Sequence, residues 1–275
     1  MVRLALSLGA VLLICSACLP DALDKRHVVK VENVHALAKK DGSKSQKKAA
    51  KVDGVERNSL VPDFNAIDDI SGRKEAFFAW LAPYVQEENR RLIALRKQVK
   101  LVNVKKMTEQ DNLLFASLKK EYDLEVDDLN DLKNALLLRV NMIPMRLALV
   151  QAANESAWGT SRFARNGNNL FGQWCYEQGC GMVPLRREKG AHHEVAKFDS
   201  PASSVQSYIH NLNTGDAYEK LRRIRYAMQR RGMKIDAEVL VAGMEDYSER
   251  GVDYIQGLRA LMRENEQFLV AYANR

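Results

Sequence analysis

The sequence predicts a mainly helical α+β protein with one small sheet, and three observations support this. Apolar residues recur at helical spacing through most of the chain after residue 61. The stretch from Gly167 to Gly190 breaks that spacing and is rich in glycine, asparagine and aromatic residues. The hydrophobic and charged fractions, 46% and 28%, are ordinary for a soluble protein, and 275 residues suffice for a sizeable core.

Residues 1–18 are typical of a bacterial export signal. One arginine precedes an apolar run from Leu4 to Ile14, and two small residues then lead to Cys18. The run is too short to span a bilayer comfortably. The pattern before Cys18 resembles a lipoprotein signal, with simple secretion or an uncleaved anchor as alternatives. We therefore expect a periplasmic protein, attached to the outer membrane where Cys18 is lipidated.

A basic linker is expected over residues 19–60. Residues 24–57 hold ten Lys or Arg against five Asp or Glu, with few large apolar residues, which is the composition of a flexible tether. The whole chain has a net charge of +7. Such a charge favours anionic partners in general, including the acidic polymers of a cell wall, although a solvated basic surface explains it equally well. We expect no nucleic-acid partner.

Residues 61–124 are expected to form a helical N-terminal extension. Asp69 or Ser71 can cap a first helix, which Pro83 is expected to interrupt. A second helical stretch then covers Tyr84 to Leu101.

Further helices follow in the predicted main domain, residues 125–275. Asp127 or Asp128 starts the first of them, after a helix that Thr108 begins within the extension. A helix then starts at Pro144 and ends near Gly159. Its part from Met145 to Ala153 is apolar nearly all round apart from Arg146 and Gln151, which places it at the centre of the domain. A hairpin and three more helical patterns complete the domain: Met182–Leu185 with Glu194–Phe198, then Ser203–Leu212, Ala217–Arg230 and a helix from Asp253 onwards.

The only cysteines after the export signal are Cys175 and Cys180. Four residues separate them, with Gly179 allowing a tight turn. In an oxidising compartment, a small-loop disulfide is the leading interpretation. Zinc is the alternative, and it would need His192 or His193 as further ligands. We expect no metal site and no cofactor.

Glu155 is the predicted catalytic acid. It follows the apolar part of the central helix, near the helix's C-terminal end. Apolar neighbours and the negative end of the helix dipole both disfavour its ionised form. A carboxylic acid that stays protonated is what the cleavage of a glycosidic bond requires.

Aromatic and amide side chains near Glu155 predict a saccharide cleft. Trp158, Phe171 and Trp174 offer flat faces on which sugar rings can stack. The amides of Asn168 and Asn169 can bond acetamido and hydroxyl groups.

Residues 144–174 strongly resemble the peptidoglycan N-acetylglucosaminidase family, which includes the flagellar rod-cap hydrolase and several autolysins. The likeness is specific in Glu155-Ser156-Ala157-Trp158-Gly159 and in Asn168-Asn169-Leu170-Phe171-Gly172, and it extends over about residues 125–270. It implies a lysozyme-like fold and hydrolysis of the β-1,4 bond after N-acetylglucosamine.

The resemblance also implies roles for later residues. The essential glutamate of the family falls on Glu155, and its late tyrosine falls on Tyr247, where a hydroxyl could position water or stabilise charge. Tyr254 belongs to the same late motif and is expected to contact substrate. Glu188 is the closest match to a second catalytic carboxylate, with Glu177 as the other candidate.

Two other functions compete with this one. A lytic transglycosylase also carries a Glu-Ser pair at a helix end but cuts the N-acetylmuramic acid linkage. A non-catalytic wall-binding protein on the same scaffold is the alternative from another class. No phosphate-binding glycine loop and no Ser/His/Asp order is present in the sequence.

Overall fold

The computed structural model describes residues 61–185, 187, 190 and 192–272, and within them the α+β prediction is confirmed. The predicted export signal with Cys18, the linker and Glu188 lie outside the described residues. The helices are α1 Ile70–Leu101, α2 Glu109–Glu121, α3 Leu129–Arg139, α4 Met145–Ser156, α5 Arg162–Gly167, α6 Pro201–Thr214, α7 Glu219–Arg230, α8 Ala237–Leu240, α9 Val252–Glu264 and α10 Glu266–Leu269.

Helix α1 is continuous, so the predicted interruption at Pro83 is wrong. Asp69 caps the helix, its side chain accepting from the amides of Ser71 and Gly72. A proline inside a helix costs about 3 kcal/mol, but burying one large apolar side chain recovers about 1.5–3 kcal/mol. Four such side chains flank the proline within two turns and are almost fully buried: Phe77, Phe78, Leu81 and Val85. Packing therefore outweighs the lost hydrogen bond.

The predicted starts of α2 and α3 are confirmed. Thr108 and Asp111 form a reciprocal capping box at the start of α2. Asp128 caps α3 by accepting from two backbone amides.

Buried arginines hold the end of α3. Arg225 donates to the carbonyls of Leu138 and Met142 at 3.1 and 3.0 Å, and Arg96 donates to Val140 at 3.1 Å. Because burial is costly for a cation, the pKa of Arg225 falls to about 9. The carbonyl end of a helix is the favourable place for such a charge.

Helix α4 lies at the centre of the fold, as predicted. Nine of its twelve residues are buried, and it packs against α1 and α9. The chain then turns through three consecutive left-handed residues, Ala157, Trp158 and Gly159. Gly159 is required there by space as well as conformation, because a Cβ atom would lie 2.7 Å from the ring of Phe64.

The sheet contains three short antiparallel strands in the order β1-β3-β2: β1 Trp174–Cys175, β2 Gly181–Met182 and β3 Glu194–Ala196. The predicted pairing of β2 with β3 is confirmed, although β2 is shorter than expected. The sequence analysis missed β1. Two residues carry too little alternation to be recognised as a strand without the partner that they pair with.

One hydrophobic core joins α1 and α2 to the helices that follow, so residues 61–124 share their buried interior with the main domain. Within the described ranges, no helix combines the length and apolar character that crossing a bilayer requires.

Candidate active site

Glu155 lies in the last turn of α4, half-buried. Its Oε1 accepts two hydrogen bonds, from Asn154 Nδ2 at 3.0 Å and from the Tyr254 hydroxyl at 2.9 Å. Its Oε2 faces exposed Gly172, where a Cβ atom would lie 3.5 Å from that oxygen. Among the described residues, no hydrogen bond reaches Oε2. One oxygen is thus held by the protein and the other is open towards the loop.

A chain of hydrogen bonds, here called the tyrosine relay, leads from the core to Glu155. Tyr208 donates to Gln151 Oε1, Gln151 Nε2 donates to the Tyr254 oxygen at 3.0 Å, and Tyr254 donates to Glu155. Gln151, Tyr208 and Tyr254 are 0%, 1% and 3% exposed. Burial, followed by the charge of Glu155, raises the pKa of Tyr254, so its hydroxyl remains a proton donor.

Tyr247 lies beside the relay, so the fold brings it close to Glu155. Its ring stacks on Tyr254, with centroids 5.5 Å apart and an interplanar angle of 6°. Its hydroxyl donates to the Phe171 carbonyl at 2.9 Å. Burial raises the pKa of Tyr247 well above its ordinary value, which keeps this hydroxyl protonated. Tyr247 therefore ties the Phe171 loop to the ring that contacts Glu155.

The amide nitrogens of the two predicted asparagines donate hydrogen bonds within the fold. Asn168 Nδ2 donates to the Phe198 carbonyl at 2.9 Å. Asn169 Nδ2 donates to the carbonyls of Gln173 and Ala196 at 2.8 and 2.9 Å, and its Oδ1 accepts from two backbone amides of its own loop. These amides fix the loop against β3 and the segment that follows it.

Phe171 is also buried within the fold. Its ring is 1% exposed and stacks on Tyr208, with centroids 3.8 Å apart and nearly parallel planes. The Phe171 carbonyl also accepts the Tyr247 hydrogen bond, so Phe171 contacts both Tyr208 of the tyrosine relay and the tyrosine that stacks on Tyr254. Phe171 thus joins the loop to the relay at two points, its ring and its carbonyl.

The two predicted tryptophans differ in surroundings. Trp158 is half-buried, packs edge-on against Phe77 and Phe78, and carries the Lys74 ammonium 5.0 Å above its ring. Trp174 is 43% exposed and stacks on His193, with centroids 4.2 Å apart. Of the three predicted stacking faces, Trp174 presents the most open one.

Cys175 and Cys180 form the predicted disulfide. Buried Glu194 secures the same loop by accepting from the amides of Gly179 and Gly181 at 3.1 and 2.8 Å. These two backbone donors hold the pKa of Glu194 below its usual range. Because the sulfurs are bonded to each other, the cluster of two cysteines and Glu194 offers no thiolate to zinc. Glu177 lies exposed in this loop.

Comparison with known proteins identifies the family. Residues 133–267 match the glucosaminidase family, described as mannosyl-glycoprotein endo-beta-N-acetylglucosaminidase. The chain is also 31% identical over 222 residues to Protein bax of Escherichia coli (strain K12), covering 78% of each chain.

The chain belongs to the glucosaminidase family. The family resemblance predicted from the sequence is confirmed. Residues 62–96, 174–176 and 179–181 also predict a narrower likeness to the bacterial Bax protein. The identity to Protein bax confirms that likeness. No solved structure matches the chain. The glucosaminidase family indicates a glycoside hydrolase acting on a glycan.

Sequence reasoning missed three members of the site, Asn154, Gln151 and Tyr208. Gln151 did give a signal, because it and Arg146 are the only polar residues from Met145 to Ala153, and it lies one turn before Glu155. Tyr208 gave none, since its position on α6 is typical of an ordinary core tyrosine.

Proposed function

We propose that this chain is an exported peptidoglycan hydrolase that cleaves the β-1,4 glycosidic bond after N-acetylglucosamine, with Glu155 as general acid. The observation that carries the proposal is the asymmetry of the Glu155 carboxyl group. Oε1 is fixed by Asn154 and Tyr254, whereas Oε2 is free of hydrogen bonds from the described residues and faces Gly172. A proton on Oε2 can pass to a glycosidic oxygen without breaking the contacts that hold the side chain.

The path to Oε2 depends on Gly172. This residue is exposed and has a φ of +64°, and a side chain there would stand within contact distance of the carboxylate. Glycine therefore keeps the approach to Oε2 open. Exposed Trp174, two residues further on, supports our assignment of it as a stacking surface for a sugar ring.

Cleavage also requires a second group that manages the positive charge that develops on the sugar. Glu188 remains our prediction for this group, as a carboxylate. Tyr247 remains a prediction as a residue that supports this step. Its hydroxyl points to the Phe171 carbonyl, which favours a role in holding the loop beside Oε2. Glu188→Gln tests whether Glu188 is this second carboxylate. If it is, the separation of the two carboxyl groups distinguishes inverting from retaining hydrolysis.

Export to the periplasm is part of the proposal. It is supported by the apolar run from Leu4 to Ile14 before Cys18, and independently by the disulfide between Cys175 and Cys180. Disulfides of this kind persist in oxidising compartments such as the bacterial periplasm. Lipidation of Cys18 would attach the enzyme to a membrane.

The test is mass spectrometry of the fragments released from purified peptidoglycan. We expect new reducing N-acetylglucosamine ends. Release of 1,6-anhydromuramic ends would instead indicate a lytic transglycosylase, and wall binding without release would indicate a non-catalytic protein.

Glu155→Gln tests the acid directly. Glutamine keeps an oxygen for the Tyr254 hydrogen bond but cannot supply the proton, so we expect a rate loss of roughly three or more orders of magnitude with an unchanged fold. Glu264→Gln is the matched control, because Glu264 is an exposed glutamate that also ends a helix. Near-normal hydrolysis by the Glu155 variant would refute the assignment.

A further inference from the structure

Gln151 is the most buried polar residue of the site. It lies on α4 one turn before Glu155, has no exposed surface and lies among apolar side chains. Burying an amide without hydrogen bonds costs about 1–3 kcal/mol. Both ends of this amide are satisfied, by Tyr208 on α6 and by Tyr254 on α9. A methionine or leucine would fill the same place without needing those partners.

The direction of these bonds determines what Tyr254 can do. A phenol has one proton to donate, while its oxygen accepts. Because the Gln151 amide donates to the Tyr254 oxygen, the Tyr254 proton remains for Glu155 Oε1. If the Gln151 amide were rotated by 180°, its oxygen would compete with Glu155 for that proton. Tyr208 opposes the rotation, since its hydroxyl donates to the Gln151 oxygen.

We propose that Gln151 is a positioning residue for the reaction: its amide, held by Tyr208, directs the Tyr254 hydroxyl to Glu155 Oε1 and so keeps the transferable proton on Oε2. The inference rests on the proposed role of Glu155 as proton donor. With Asn154 and Tyr254 both donating to Oε1, a proton that arrives on Glu155 binds to Oε2. Oε2 is the oxygen that faces the open loop.

A double-mutant cycle on peptidoglycan separates positioning from packing. Gln151→Met keeps the length of the side chain and removes both hydrogen bonds, and Tyr254→Phe removes the hydroxyl. We expect each single variant to lower kcat by roughly tenfold with little change in KM, because the proton transfer and not the binding of glycan is affected. The double variant should be no slower than Tyr254→Phe alone, since Gln151 then has nothing to orient.

Independent effects would overturn the inference. If the effects of the two substitutions on kcat multiply, Gln151 acts through the fold and not through Tyr254. Wild-type kcat in Gln151→Met would overturn it as well. Should Gln151→Met fold poorly, Tyr208→Phe replaces it, since it removes only the hydrogen bond from Tyr208 to Gln151. It should also lower kcat, and its combination with Tyr254→Phe should be no slower than Tyr254→Phe alone.

NMR of the tyrosine hydroxyl protons tests the orientation without any turnover. The buried Tyr254 proton should exchange slowly in the wild-type chain and shift or exchange rapidly in Gln151→Met. An unchanged Tyr254 signal would overturn the inference. A wild-type chain that releases nothing from peptidoglycan refutes the proposed function instead, and the hydroxyl signal then decides alone whether Gln151 orients Tyr254.

Discussion

Replacement of Tyr247 by phenylalanine isolates one hydrogen bond beside the site. The ring that stacks on Tyr254 stays, and only the hydroxyl that donates to the Phe171 carbonyl at 2.9 Å is lost. A hydrogen bond contributes about 0.5–1.5 kcal/mol net, and a buried acceptor left without a partner costs about 1–3 kcal/mol. Phe171 is 1% exposed, so its carbonyl has little access to water.

We therefore expect Tyr247→Phe to lower the free energy of unfolding by about 1–2 kcal/mol. For a domain of this size, that corresponds to a fall in Tm of about 2–8 °C. Turnover should fall as well, because the Phe171 loop leads directly to Gly172 and Glu155 Oε2.

Urea denaturation and calorimetry measure the first effect, and release of fragments from peptidoglycan measures the second. Tyr226→Phe is the matched control, because its ring lies on the surface of α7, 42% exposed. Unchanged stability in Tyr247→Phe, relative to this control, would refute the hydrogen bond to the loop. A large loss of turnover with full stability would instead place the hydroxyl on the substrate, as the family resemblance first suggested.

Two further predictions concern stability. Burial, and then the charges of Arg91 and Arg139, lower the pKa of His210 to about 4 from 6.5. Between those values the unfolded chain binds a proton here and the folded chain does not, so His210 should cost on the order of 2 kcal/mol of stability between pH 7 and pH 5. Urea titrations at both pH values should show this slope, and His210→Gln should flatten it. Removal of the Cys175–Cys180 disulfide by Cys→Ser at both positions should cost about 2 kcal/mol at most for so short a loop. A much larger loss in thermal unfolding would mean that Glu194 fails to hold the loop alone.

Local signals in the sequence were sufficient for most of the helical framework. Capping residues such as Thr108 and Asp128 act within one turn of their own helix, so their effect can be predicted without tertiary information. Pro83 shows the limit of such signals. Proline has a local cost, but whether the helix continues through it depends on side chains that are buried against helices distant in sequence.

The candidate site follows the same division. Glu155 could be proposed from the sequence alone because the residue type, the apolar helix and the helix end are adjacent there. Phe171 was predicted to stack on sugar, yet its ring is buried against Tyr208, 37 positions later in the chain. A sequence motif reveals that such a residue matters but not which way its side chain points. Asn168 and Asn169 illustrate the same point, since backbone carbonyls of β3 and its neighbours occupy their amides.

The late tyrosine motif explains how one short segment serves two parts of the site. Tyr247 and Tyr254 stack on each other, while their hydroxyls point to different targets. One hydroxyl holds the loop that leads to Oε2, and the other holds Oε1 of the same carboxylate. Displacement of either ring would disturb both the acid and the approach to it. If Glu155 is the proton donor that we propose, this stacked pair both holds its carboxyl group and fixes the loop beside it, which is the alignment that proton transfer requires.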